Sequence, residues 1–240
     1  MRKKRFIYTL AAVLLMCSAA GVGAGCGKSS PALLDSFGTH LDTLMTSKDK
    51  LSKMDGAAAD LCVIENQDEF SENDIEAPAG ALFNITDQKT LYSKNANDER
   101  EIASITKIMT ALLAMKYADL SQEVTISYTP EGLESSAVLC GFEQGDKMML
   151  SSLLSAALIY SGNDAAIDIA IAVAGSQEAF VDMMNQESKE LMTSHTHFAN
   201  PTGLTQSKHY SSVYDVYLMF QECLKYPTFR DIIARGSFLC

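Results

Sequence analysis

The chain has 240 residues, of which 47% are hydrophobic and 20% charged; it can bury at least one full core, and disorder is excluded as its main state. With 19 basic against 30 acidic residues its formal charge is −11. That balance gives no general affinity for phosphate backbones, so nucleic acid is not an expected partner.

The first 25 residues predict an export signal. "MRKKR" is basic, "FIYTLAAVLLMCSAAGVG" is apolar, and small residues follow. A basic flank and a short apolar run favour cleavage, with an uncleaved anchor as the alternative. Removal leaves 15 basic against 30 acidic residues, a charge of −15. The stretch "VGAGCGKSS" resembles a bacterial lipoprotein cleavage site, which would make Cys26 the lipidated first residue of the mature chain. Such sites usually carry Leu three positions before the cysteine, where this chain has Gly23, so ordinary cleavage near Ala24 stays open. Both routes imply an exported protein, secreted or held at the outer face of the cytoplasmic membrane. The spacing of Cys62, Cys140, Cys223 and Cys240 matches no metal site and leaves their pairing open.

Residues 26–75 read as a spacer. Leu34, Phe37, Leu41, Leu44, Leu51 and Met54 recur at helical spacing among charges, and "DEFSENDIEAP" then places five acids in nine residues before Pro78. Residues 76–240 are the expected compact domain. "AGALFNI" and "TLYSKN", separated by "TDQK", predict a β-hairpin. A helix is expected from Ser104, with Ile105, Ile108, Met109, Leu112 and Leu113 facing a core. "VTI" is a candidate strand, and "SSLLSAALIYSGNDAAIDIAIAVAGS" predicts two buried helical runs meeting at a Ser-Gly-Asn turn. "SQEAFVDMMNQESKELM" and "SVYDVYLMFQECLKY" predict two further helices. Strands followed by a long helical region point to an α+β or mixed α/β fold.

The helix at Ser104 carries the chemistry. Residues i and i+3 share a helix face, so Ser104 and Lys107 can bring a hydroxyl and an amine together. A serine hydroxyl needs a base to become a nucleophile. A lysine can be that base if burial and the positive end of the helix dipole lower its pKa from about 10.4. The same helix start offers backbone N–H groups to an oxyanion. Ser-x-x-Lys is expected about once by chance in a chain this size; Ser47 with Lys50 repeats it without an apolar helix behind it. Ser-x-Asn occurs at Ser71, Ser93 and Ser161, and only the last lies between two buried runs.

Ser104-Ile-Thr-Lys107, followed 57 residues after the serine by Ser161-Gly-Asn163, resembles the active-site serine penicillin-recognising enzymes, whose motifs are Ser-x-x-Lys, Ser-x-Asn and Lys-Thr-Gly. Within them the chain is similar to the low-molecular-weight D-alanyl-D-alanine carboxypeptidases from about Ala79 to Tyr226, including "AGSQEAFVDMMN" and "THFANPTGL" followed by "HYSS". The resemblance implies a β-lactamase/transpeptidase-like fold, an antiparallel sheet flanked by a helical region. It implies Ser104 as nucleophile, Lys107 as its base, Ser161 as a proton relay to the departing D-alanine, and Asn163 as a holder of substrate or lysine. The implied substrate is a peptidoglycan stem peptide ending in D-Ala-D-Ala, with β-lactams as covalent inhibitors and no cofactor or metal.

No Lys-Thr-Gly follows Ser161. The resemblance assigns substrate-carboxylate recognition and an oxyanion donor to the strand bearing that motif, so the expectation is a C-terminally truncated chain lacking the last strands. An inactive or degenerate fragment is the alternative reading. A serine β-lactamase is the enzyme rival, but those usually carry Ser-Asp-Asn and a Glu-x-x-Leu-Asn loop. Elsewhere, His195, His197 and His209 fit no zinc spacing. Asp164 is expected to cap the following helix, Met183 and Met184 to lie in the core, and Asn200-Pro-Thr-Gly203 to form a loop with a minor role near the site.

Overall fold

The computed structural model describes residues 61–64, 75–127, 133, 135 and 137–235. The predicted export segment, Cys26, the amphipathic pattern over 34–54 and Cys240 lie outside them. The chain divides after Ala96 into two compact units, each taken by itself below.

The first unit contains the expected hairpin, β1 (Gly80–Asn84) paired antiparallel with β2 (Lys89–Lys94). Asn84 builds its turn: the side-chain oxygen accepts from the N–H groups of Thr86 and Asp87, and the amide donates to the Asp87 carboxylate at 2.9 Å. This is the local bonding by which asparagine favours turns. A register shift between Leu82 and Phe83 bends β1. Leu82, Leu91 and Tyr92 form a small core against which Ile75 packs. Ordered pairing reaches upstream of residue 75, because Val63 bridges Lys89 and accepts a hydrogen bond from Thr90 at 2.8 Å.

The second unit is mainly helical. A 3-10 turn (Ala103–Thr106) leads into α1 (Lys107–Tyr117). A short antiparallel pair follows, β3 (Glu123–Thr125) with β4 (Lys147–Met149). Then come α2 (Leu150–Ser155), continued by a π turn (Ala156–Tyr160), α3 (Asn163–Ala174) and α4 (Gln177–Glu190). Last are α5 (Val213–Cys223) and α6 (Pro227–Ile233). Helix α1 packs against α3, α4 and α5. Accordingly its Met109, Thr110, Ala111, Leu112, Leu113 and Ala114 are all buried, whereas Ile105 and Ile108 are only half-buried. Met184 is in the core and Met183 half-buried. Helices α4 and α5 begin with serine caps, Ser176 accepting from Ala179 N–H and Ser212 from Asp215 N–H.

The α+β class matches the sequence-based expectation, with three differences in detail. Ser104 sits on the 3-10 turn and not in an α-helix, because α1 starts only at Lys107. Strand β4 and helix α6 had no distinct sequence signal: β4 has three residues, and α6 is a seven-residue helix begun by Pro227 at its first turn. Asp164 does not cap α3, whose cap position is Gly162. From the second position of the helix, its two carboxylate oxygens accept from the N–H groups of Cys140 and Gly141, both at 3.0 Å, and pin that loop to the helix start.

Two ion pairs of Lys116 fasten α1 to α4, one with the buried Glu187 and one with the exposed Glu190 at 3.3 Å. Lys116 donates to both oxygens of the buried Glu187 carboxylate, at 2.9 and 2.7 Å, and Tyr117 donates to it at 3.1 Å. The carboxylate has been taken out of water and depends on these donors. Lys116→Ala is expected to destabilise the protein by about 2 kcal/mol or more, the cost of an under-satisfied buried charge. The double variant Lys116→Met with Glu187→Leu should recover most of that loss in thermal melts. A double variant no more stable than the single one would show that the pair contributes packing and not charge satisfaction.

Candidate active site

Lys107 is the centre of the site, and its side chain is almost fully buried. Its amine donates to Ser104 Oγ at 3.1 Å, Asn163 Oδ1 at 2.9 Å and the Thr202 carbonyl at 2.8 Å. Three distant segments of sequence therefore converge on one nitrogen. Desolvation by burial lowers the Lys107 pKa to about 8, with the neighbouring Cys140 and Asp164 pulling the other way. A sizeable neutral fraction exists near physiological pH as a result.

The number of acceptors has a chemical consequence. An ammonium has three N–H bonds and can satisfy all three oxygens. A neutral amine has two N–H bonds and one lone pair. Asn163 Oδ1 and the Thr202 carbonyl can only accept, so they take the two N–H bonds and leave the lone pair for the hydroxyl of Ser104, which can donate. The deprotonated lysine is thus oriented as a base toward that serine.

Each support is itself held. Asn163 donates its side-chain amide to the Val138 carbonyl at 3.1 Å, and its backbone N–H reaches the same oxygen at 2.9 Å; this turns its Oδ1 toward the lysine. A Cβ at Gly162 would overlap the Cys140 sulfur, so that side chain would have to shift to admit one. Asn200 knots the loop that carries Thr202. Its Oδ1 accepts from Thr202 N–H, Thr202 Oγ1 and Gly203 N–H, and its Nδ2 donates to Leu204 O and Gln206 Oε1. Thr110 donates to the Pro201 carbonyl at 2.7 Å, fastening the loop to α1.

The backbone around the site occupies uncommon conformations. Ala103, just before the serine, has φ +44°, and Ser161 has φ +64°; both lie in the left-handed region, which non-glycine residues adopt at a cost. Gly203 has φ +85°, and a Cβ there would collide with the Ala103 carbonyl. The serine turn and the Thr202 loop therefore approach as closely as backbones can.

Of the four residues singled out in the sequence, Ser104, Lys107 and Asn163 come together, while Ser161 is half-buried at the mouth of α3 and is not among the lysine's hydrogen-bond partners. The Asn200–Gly203 loop contributes more than expected. Its Thr202 carbonyl is a backbone atom, which residue identity cannot advertise. The histidines face separate partners: His195 lies 4.0 Å from Glu99, His197 stacks on Tyr210, and His209 reaches Thr106. Among the described residues no group of three or more His, Cys, Asp or Glu side chains is placed to hold a metal.

Two outcomes are expected. Lysine-selective NMR should find one ε-amine titrating near pH 8, and Asn163→Asp should move it upward, because a carboxylate favours the ammonium. Gly203→Ala should disturb that same resonance by forcing the loop off the serine turn. A Lys107 signal unchanged in both variants would contradict the convergence described here.

Comparison with known proteins identifies the family and the fold. The model for the D-alanyl-D-alanine carboxypeptidase family (peptidase S11) matches residues 66–234. The carboxypeptidase DacF of Bacillus subtilis is 41% identical over 158 residues, covering 64% of this chain and 40% of DacF; the chain thus spans about two fifths of that relative's length. A D-alanyl-D-alanine carboxypeptidase from Mycobacterium tuberculosis superposes with TM-score 0.61 at 26% identity, covering 67% of this chain and 61% of that one. Penicillin binding protein 6B from Escherichia coli superposes with TM-score 0.60 at 25% identity, over 64% and 52%. The fold is that of the penicillin-binding peptidases, and with a family match over 169 of its 240 residues this chain belongs to the D-alanyl-D-alanine carboxypeptidase family.

Proposed function

We propose that the chain carries the nucleophile half of a serine-type D-Ala-D-Ala carboxypeptidase acting on peptidoglycan stem peptides. The observation that carries this reading is the Lys107 amine, buried, with a lowered pKa, 3.1 Å from Ser104 Oγ and fixed by two acceptors that cannot give up their role.

The steps follow from that geometry. Ser104 Oγ attacks the carbonyl of the penultimate D-alanine while the neutral Lys107 amine takes its proton. Backbone N–H groups of the serine turn are the donors this chain offers to the oxyanion. The C–N bond then breaks, and the departing D-alanine nitrogen gains a proton, through Ser161 in this reading. An acyl ester on Ser104 remains. Water attacks it, with Lys107 again as the base, and releases the shortened peptide. A β-lactam amide would acylate the same serine. Asn163 has two tasks here, orienting Lys107 and lining the site for the substrate amide.

The same reading places the protein outside the cytoplasm, since its substrate is there and its first 25 residues have the pattern of an export signal. Lipid on Cys26 would hold it at the membrane. Palmitate-analogue labelling of wild type against Cys26→Ala checks this, and equal labelling would exclude the lipid.

The test of function is covalent. A fluorescent penicillin should label wild type at Ser104 and fail to label Ser104→Ala, while Ser47→Ala is labelled normally. Lys107→Ala should slow acylation by about 10²–10⁴-fold, the usual contribution of a positioned base. The wild-type acylation rate should rise with pH through about 8, as the lysine loses its proton. Release of D-alanine from a peptide ending in D-Ala-D-Ala, followed by mass spectrometry, addresses the second half of the cycle. Persistent labelling of Ser104→Ala would overturn the assignment.

A further inference from the structure

His209 is a buried imidazole that is not among the hydrogen-bond partners of Lys107, yet it joins the two chain segments that hold the site. Its Nε2 lies 2.7 Å from Thr106 Oγ1, on the serine turn one residue before Lys107, and its Nδ1 accepts from Ala199 N–H at 3.0 Å, at the start of the Thr202 loop. Because an amide N–H can only donate, Nδ1 carries the lone pair and Nε2 the proton, which it gives to Thr106. The imidazole is therefore neutral and in one tautomer. Burial and the proximity of His197 hold its pKa down, to about 4. Protonation would also set a second N–H against that of Ala199.

The ring is firmly seated. Phe198 packs edge-on against it at 5.9 Å between centroids. Two backbone bridges fix the chain just after His209, His197 with Tyr210 and Arg100 with Ser211. The second ties the segment that follows His209 to the one that enters the serine turn. The Thr202 loop thus has two fastenings to the serine-bearing element, Thr110 to Pro201 and His209 between Thr106 and Ala199. Both fastenings grip the loop just before Thr202, at residues 199 and 201.

We propose that His209 is a positioning residue for the base: by bolting Thr106 to the backbone at Ala199, it keeps the Thr202 carbonyl on the Lys107 amine and so keeps the lysine lone pair on Ser104. This rests on the reading of Ser104 and Lys107 as nucleophile and base, and it adds a residue that acts only through others. Without the bolt the loop loosens, water reaches the amine, and the ammonium is favoured.

The test uses the whole chain and two readouts, the Lys107 titration by lysine-selective NMR and the rate of acylation by a fluorescent penicillin. Glutamine can place an N–H near the position of Nε2, whereas asparagine can reproduce only the acceptor near Nδ1. His209→Ala and His209→Asn should both move the Lys107 titration upward by a unit or more and slow acylation at neutral pH at least about tenfold. His209→Gln, which keeps the bond to Thr106 and loses the one to Ala199, should shift both readouts in the same direction as His209→Ala. Thr106→Val, which removes the other end of the bond, should reproduce the alanine effect. If wild type is not acylated at Ser104, the functional reading fails, and the titration alone still decides the role of His209. A Lys107 titration unchanged in both His209→Ala and Thr106→Val would overturn the proposal. So would His209→Gln matching wild type in both readouts, since the bond to Ala199 would then be dispensable.

Discussion

Burying a lysine amine among three oxygens is the constraint around which the helical unit is organised. An ammonium removed from water is costly unless its N–H bonds are all satisfied, and here the acceptors come from the serine turn, the start of α3 and the Thr202 loop. Each acceptor must be delivered with an accuracy of tenths of an ångström. The knotted Asn200 loop, the Asp164 clamp on residues 140–141 and the approach of Gly203 to Ala103 all serve that delivery. The same burial that costs stability lowers the amine's pKa, which is what gives it chemical use.

Two of the three acceptors cannot act as donors, and this asymmetry gives the site its direction. If all three partners were hydroxyls, a neutral amine could turn its lone pair to any of them. With a carboxamide oxygen and a peptide carbonyl in two positions, only the serine can answer the lone pair. The base is therefore aimed without any charged residue in direct contact with it. A carboxylate in the place of Asn163 would hold the lysine more strongly, but in its protonated form, where it could not accept a proton.

Two of the six non-glycine residues with left-handed backbone among the described residues lie at the same place. Ala103 and Ser161 adopt left-handed backbone next to the two motifs, and the 3-10 turn replaces α-helix where Ser104 sits. Such conformations persist only where surrounding structure over-determines them. The packing of α1 against α3, α4 and α5 supplies that support, with α1 buried along most of its length. A rigid helical block thus carries a tight turn that would not hold its shape alone.

The sequence by itself determined the hairpin from its alternating runs around a turn and the main helices from their apolar spacing, and it offered Ser104, Lys107 and Asn163 as candidate side chains through the resemblance of their paired motifs to a known family, since neither motif alone is rare. Helix α1 was legible because Met109, Leu112 and Leu113 repeat at the helical period. The short β4 and α6 were not, since three and seven residues are too few to establish a period. Tertiary structure alone decided what no residue type encodes. The Thr202 carbonyl became the lysine's third partner because any residue has a carbonyl and only the fold says where it points. Asp164 became a clamp on a loop 23 residues away in sequence and not a cap, and His209 reached Thr106 across 103 residues. Those contacts depend on chain segments meeting in space, and local sequence patterns report only on neighbours within a few residues.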